Sequence, residues 1–292
     1  MGITLTEKYR LLARMFTRPV LSRIAATGEW ERGLGFLVRE RVLRHGPPRP
    51  LAELFESAWR VLRAYYRNEY VYKAEIANRI VFGMHSPRTT ALHVELPVAR
   101  SIVDVAVFNG TSTAYEVKTE FDSARRLQTQ TADYLKVFDK VFVVANPSNA
   151  AAYASVVHER VGVLALDIRG SLSVAKPAVS NRNEVSVATV FRCLRRAEYV
   201  NLIEGVLQVP LLYPNGIIAR KCEEHFCRLG SEQAHQFFVD VMRRRQTDPQ
   251  TVAFVSQLPQ SLRALGYATP LSGRQRAVAI SVLGQEVGVA IA

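Results

Sequence analysis

Apolar positions recur at two spacings along the chain, and the switch between them marks out a middle stretch. Up to about residue 82 the spacing is helical. Leu11, Leu12 and Met15 fall on one side of a first short helix that Thr6 can cap, before Pro19 interrupts it. The run HGPPRP, His45 to Pro50, is then expected to break the chain. A longer helical stretch follows from Leu51 to Phe82, with Leu54, Ala58, Leu62 and Tyr65 on one stripe, a bend near Asn68 and an end at Gly83.

Between Leu92 and Lys118 the period becomes that of strands, in the runs LHVELPV, SIVDVAVF and TAYEVK. Asn109-Gly110 between the second and third predicts a tight hairpin, and so an antiparallel pair. A helix is expected from Ser123 to Phe138, with Leu127, Tyr134, Leu135 and Phe138 on one side. VFVVAN, Val141 to Asn146, is nearly all apolar, as a strand buried on both faces is, and VGVLALD repeats the pattern later. From Val185 onward helical patterns return, one of them starting at Ser231, and Pro249, Pro259 and Pro270 punctuate short helices. The layout predicts an α/β core over residues 67–175, between a helical region over 1–66 and another over 176–292.

Composition adds a constraint on partners. The 38 Lys and Arg outnumber the 26 Asp and Glu, for a net charge of +12 and a pI near 9.9, which favours polyanions. No basic tail carries the excess: residues 1–60 hold +5, 61–180 hold +3 and 181–292 hold +4. No apolar run approaches the roughly 20 residues that cross a bilayer, and the start lacks the apolar segment of a signal peptide. A cytoplasmic protein without membrane contact is expected, with Cys193, Cys222 and Cys227 as reduced thiols.

Candidate chemistry gathers on the strands. Asp104 interrupts SIVDVAVF, where a carboxylate is costly without a partner or a metal. Hairpin pairing brings it beside Glu116, and Lys118, two residues on, shares the Glu116 face. Two adjacent carboxylates repel, and a hard divalent cation, magnesium or manganese, resolves the repulsion. Such a cation can activate water against a phosphodiester while a lysine steadies developing charge. Glu75 on the preceding helix can add a third acid; Gln130 and Tyr134, four apart, share a face of the following helix.

Glu75, Asp104, Glu116-Val117-Lys118 and Gln130-x-x-x-Tyr134, in the order helix, three strands, helix, strand, resemble the PD-(D/E)XK nuclease superfamily. The glutamine–tyrosine pair is similar to the branch holding the RecB nuclease domain and phage exonucleases. The stretch from about Asn68 to Gly170 also resembles a bacterial family named after a myxobacterial locus. The proline of the superfamily motif is absent, with Val103 in its place.

The resemblance implies a restriction-endonuclease-like α/β core with a mixed central sheet and helical flanks, and a nuclease that cuts nucleic acid, DNA foremost, with Mg²⁺ or Mn²⁺. Phage defence and DNA repair are the settings it suggests, with a protein partner or a second copy compatible. Asp104 and Glu116 would bind the metal, the Val117 carbonyl would add a ligand and Glu75 would complete the site. Lys118 would position water, and Gln130 would touch the site or the substrate backbone. Tyr134 would contact substrate or simply pack. The rival reading is a binding or regulatory module that keeps the nuclease fold without turnover.

Other residues carry bland readings beside the functional ones. Glu95 in LHVELPV can replace or assist Glu75. Arg125 and Arg126 can hold phosphates, and Arg243-Arg244-Arg245 can touch a backbone or complement a helix dipole. The C-x2-H-x-C spacing of Cys222, His225 and Cys227, with His235, fits no common zinc site and reads as core thiols and surface histidines. His85 and His93 read as turn or surface residues. A glycine-rich phosphate loop is missing, which argues against a nucleotide-driven motor.

Overall fold

Strands replace helices where the apolar spacing changes, and the computed structural model, which describes residues 4–292, shows how far each element runs. Helices α1 (Leu5–Ala13), α2 (Arg18–Thr27) and α3 (Trp30–Arg39) precede strand β1 (Leu43–Pro50), α4 (Leu51–Tyr65) and α5 (Glu69–Ile76). The last continues as a π-helical stretch, Ala77–Met84. Strands β2 (Ala91–Val98), β3 (Ser101–Phe108) and β4 (Ser112–Lys118) lead into α6 (Leu127–Leu135), β5 (Lys140–Ala145), α7 (Pro147–Val156), β6 (Gly162–Leu166) and β7 (Leu172–Lys176). Helices α8 (Val187–Arg192), α9 (Arg196–Leu207), α10 (Asn215–Phe226), α11 (Ser231–Arg244), α12 (Pro249–Gln257), α13 (Arg263–Ala268) and α14 (Gly273–Leu283) precede β8 (Glu286–Ile291). These elements form two units.

The helical unit is built from Met1–Arg88, Ile168–Ser171 and Asp248–Ala292. Its first helix is capped by Thr4 and not Thr6, because Glu7 stands at the third helical position and closes a capping box with Thr4. HGPPRP does not break the chain here. It belongs to β1, which pairs antiparallel with β8, Leu43 opposite Ile291, with a register shift between His45 and Arg49. Pro47 and Pro48 fall within that shift, where a proline without an N–H removes no ladder bond. Leu54, Ala58 and Leu62 of α4 are fully buried as the stripe predicts, while Tyr65 at its end is exposed.

The sheet unit holds Thr89–Asp167 and Leu172–Thr247. Its six-stranded sheet runs β2-β3-β4-β5-β6-β7. Pairing is antiparallel from β2 to β4, parallel from β4 to β6 and antiparallel again at β7, so the sheet is mixed. Gly110, at φ +92, supplies the left-handed turn that the Asn-Gly pair predicts between β3 and β4. Pro97 falls on β2, at the sheet edge, the place that tolerates it. The apolar run Val141–Ala145 lies on β5, between β4 and β6, and Val141, Val143, Val144 and Ala145 are fully buried.

Helices cover the sheet through aromatic contacts, with the Phe108 and Phe238 rings 5.3 Å apart, edge to face. Truncating either buried ring would cost about 3–5 kcal/mol. The chain is thus a mixed α/β protein with a mixed central sheet and helical flanks. Among the described residues no helix is long and apolar enough to cross a membrane.

Candidate functional site

The β3–β4 ladder ends at Val105 opposite Tyr115, so the next residues outward along the two strands are Asp104 and Glu116. On the other side of β3 the pairs Val94–Val105 and Leu96–Val103 bracket Glu95 and Asp104. Glu95, Asp104 and Glu116 therefore occupy one row across three neighbouring strands. Glu95 has φ +57, the left-handed region that a residue with a Cβ enters at a cost, and its side chain is exposed. Asp104 is half-buried and Glu116 buried.

Past its last ladder pair, β4 changes partners. The Val117 N–H donates to Asp104 Oδ2 at 2.7 Å. In a strand the N–H and C=O of one residue point to the same edge. The Val117 carbonyl is therefore aimed at the β3 side as well, toward the Asp104 edge of the row.

Glu116 is gripped from two directions. Lys118 Nζ donates to its Oε1 at 2.8 Å and to Gln130 Oε1 at 3.2 Å. The Tyr134 hydroxyl lies 2.7 Å from Glu116 Oε2 and 2.7 Å from the Ile102 carbonyl, two acceptors for one proton. Burial, then the Glu116 and Asp104 carboxylates, drive the Tyr134 pKa up, so the phenol keeps its proton. The β4–α6–β5 crossover builds the group: α6 is the first α-helix after the strand of Glu116 and Lys118, and Gln130 and Tyr134 share its sheet-facing side.

Other sequence candidates have different surroundings. Glu75 belongs to the helical unit, where it faces two cations, Arg63 at 3.2 Å and Arg79 at 3.8 Å. Burial raises its pKa, while Arg63 and Arg79 oppose the rise. Arg125 and Arg126 lie on a 3-10 turn, Ala124–Arg126, ahead of α6, and both are exposed. Arg245 is committed to Glu198 and to the Cys193 carbonyl, and Arg243 lies 3.5 Å from Asp240; Arg244 is the exposed member of that run.

The histidines read as surface residues include two that are buried. His93 Nε2 meets the Met242 carbonyl at 2.8 Å, and burial pushes its pKa down to about 4. His235 Nε2 meets Ser112 Oγ at 2.7 Å, and that oxygen also accepts the Asp139 N–H. The serine, histidine and aspartate so assembled are all buried, and Asp139 is spent on Thr111 and the Asn181 N–H. They brace the end of the hairpin against α11 and do not form a nucleophile with access to substrate.

Sequence reasoning missed one neighbour of the site. Tyr153 of α7 feels the Lys118 ammonium, which opposes the rise that burial imposes on its pKa. The segment that carries it, PSNAAAYASV, has almost no polar–apolar alternation to mark a buried face.

A cation would find two hard oxygen donors, Asp104 and Glu116, and a carbonyl on the same side. Among the described residues no three His, Cys, Asp or Glu side chains gather as a metal group. A cation here would keep water in most of its shell, which magnesium does readily and zinc does not. No curated protein and no solved structure matches the chain. The family model described as Bacteriophage P4 protein cII matches residues 63–263, more than half of the length. The chain belongs to the bacteriophage P4 protein cII family.

Proposed function

We propose that the protein is a divalent-metal-dependent nuclease, with DNA as its foremost substrate, and that Asp104, Glu116 and Lys118 are its hydrolytic group. The observation that carries this reading is the grip on Glu116. A buried carboxylate bound on one oxygen by a lysine and on the other by a tyrosine, opposite a second carboxylate, is an expensive arrangement for a structural role. The strand and helix order around it supports the PD-(D/E)XK-like core that the sequence resembles.

In this reading Asp104 and Glu116 hold Mg²⁺ or Mn²⁺, with the Val117 carbonyl on the same side. The bound cation would polarise a phosphodiester and ease deprotonation of water. Lys118, held by Gln130, orients water and steadies charge as it builds on the phosphate oxygens. Tyr134 keeps Glu116 in place, and its proton has the Ile102 carbonyl as a second acceptor if Oε2 turns to a cation. The resemblance adds Glu75 as a third acid. Since Glu75 is ion-paired within its own unit, the proposal stands without it.

The same grip gives the rival reading its support: lysine and tyrosine already satisfy Glu116 with no cation, as a non-catalytic binding module would require. Incubating the full chain with linear, circular and single-stranded DNA and with RNA, in Mg²⁺, Mn²⁺ and chelator, separates the two. Cleavage that stops in chelator and in Asp104→Ala is expected, with a cation-dependent rise in Tm that Asp104→Ala removes. Cleavage at an unchanged rate in both Asp104→Ala and Lys118→Ala would assign the activity elsewhere.

A further inference from the structure

The positive charge is unevenly shared. The helical unit holds 20 Lys and Arg against 10 Asp and Glu, a net +10; the sheet unit holds 18 against 16, a net +2. Within the helical unit, Arg14, Arg23, Arg32 and Arg39 line one cleft of about 1050 Å³ at α2 and α3. All four are exposed. Two acids, Glu29 and Glu31, also line it, and Glu29 is taken by Arg32 at 2.9 Å. Among the described residues no carboxylate forms an ion pair with Arg14, Arg23 or Arg39.

Two features show that the cleft is built. Arg14 lies over the Phe36 ring, 4.4 Å from its centroid, so its guanidinium is held in place with its N–H edge still able to donate. A Cβ on Gly33 would come within 2.6 Å of Ile24 and 3.1 Å of the Val20 carbonyl, so only glycine allows α3 to lie this close to α2.

We infer that this α2–α3 cleft is a binding site for the phosphate backbone of a nucleic acid. Guanidinium forks match phosphate oxygens in geometry as well as charge. At about 1050 Å³ the cleft lies at the top of the roughly 300–1,000 Å³ range of ligand pockets, and its four arginines give room and charge for more than one phosphate. Its residues precede the family match at residues 63–263 and are not among those proposed for hydrolysis, so the inference stands whether or not the protein cuts what it binds.

The test is fluorescence anisotropy of the full chain with labelled single-stranded and duplex oligonucleotides, in chelator, over a salt series. An Arg14→Gln/Arg23→Gln/Arg39→Gln variant should bind at least about 10-fold more weakly at low salt. Its slope of log K against log salt should be smaller by about 2 to 3, since each phosphate contact contributes about 0.7 to 0.9. The corresponding triple lysine variant should retain most of the slope. Arg23→Glu alone, a surface change on α2, should weaken binding if the triple variant does not fold. Affinity and slope equal to wild type in Arg23→Glu and in a folded triple glutamine variant would overturn the inference. So would a wild type that binds anionic vesicles or an acidic peptide but no oligonucleotide. Loss of cleavage with binding intact, as in Lys118→Ala, bears on the nuclease reading and not on this one.

Discussion

The sheet unit and the helical unit handle charge in opposite ways. In the sheet unit the two signs nearly balance, and the notable charges are inside: Glu116 and Lys118 are both buried and paired. In the helical unit one sign prevails by ten, and arginines line an open cleft. Buried pairs fix geometry, because each partner is costly to leave alone. Exposed arginines supply long-range attraction that salt can screen. In the proposed nuclease, chemistry on a polyanion and affinity for it would therefore draw on separate residues.

The sharpest way to break this division is to remove one half of the buried pair. Glu116→Ala strands the Lys118 ammonium in the interior and should cost about 3–5 kcal/mol of stability, read as a lower denaturation midpoint. Lys118→Ala is the cleaner probe of chemistry. If the protein is the nuclease proposed, cleavage should fall roughly 100-fold or more, with oligonucleotide affinity nearly unchanged, because the group would act on the transition state. Gln130→Ala should lie between, since it orients Lys118. If Glu116 holds the cation, high Mn²⁺ should partly rescue Glu116→Gln but not Lys118→Ala. Equal losses of binding and cleavage in Lys118→Ala would erase the distinction between the units.

A smaller effect comes from pH. Folding holds His93 neutral, with a pKa near 4 against an ordinary 6.5, and lowers that of His235 as well. The unfolded chain takes up protons below pH 6.5 that the folded chain refuses until about 4. Stability should therefore fall as pH drops through that window, His93 accounting for about 2–3 kcal/mol, and its contribution should be constant above pH 7. Denaturant midpoints across the window should show a shallower decline in His93→Leu. The smallest effect is expected at Arg244. Arg244→Ala should change stability by less than about 0.5 kcal/mol and the salt slope by one contact at most. A variant that also removes Arg245 would mix in the loss of the Glu198 pair.

The row of strand acids was legible in the sequence because hairpin geometry is local. Asn109-Gly110 sets the turn, the turn sets the register, and the register leaves Asp104 and Glu116 as the adjoining residues just past the last pair, Val105 and Tyr115. Gln130 and Tyr134 were legible for a similar reason, since four residues make one helical turn. What failed to show depends on partners distant in the chain. Nothing near HGPPRP reveals that residues 286–291 will pair with it. His93 reads as a surface residue because the Met242 carbonyl that receives it is 149 positions away. Arg14, Arg23 and Arg39 look like ordinary solvated charges until α2 and α3 are brought together at Gly33.

The pairing of β1 with β8 has a consequence for how the chain is made. Leu43 finds its partner at Ile291, a closure across most of the molecule, whereas every strand of the sheet unit is synthesised before residue 248. On a ribosome the sheet unit can fold while the strand that completes the basic unit has yet to be translated. Closing so long a loop carries an entropy cost that grows only slowly with length, so delay and not stability is the main cost. The acid cluster should be assembled in the nascent chain before β1 acquires its partner. Arrested chains ending just short of Glu286, with the sheet unit clear of the ribosome, should resist proteolysis in that unit while remaining open to cleavage around β1.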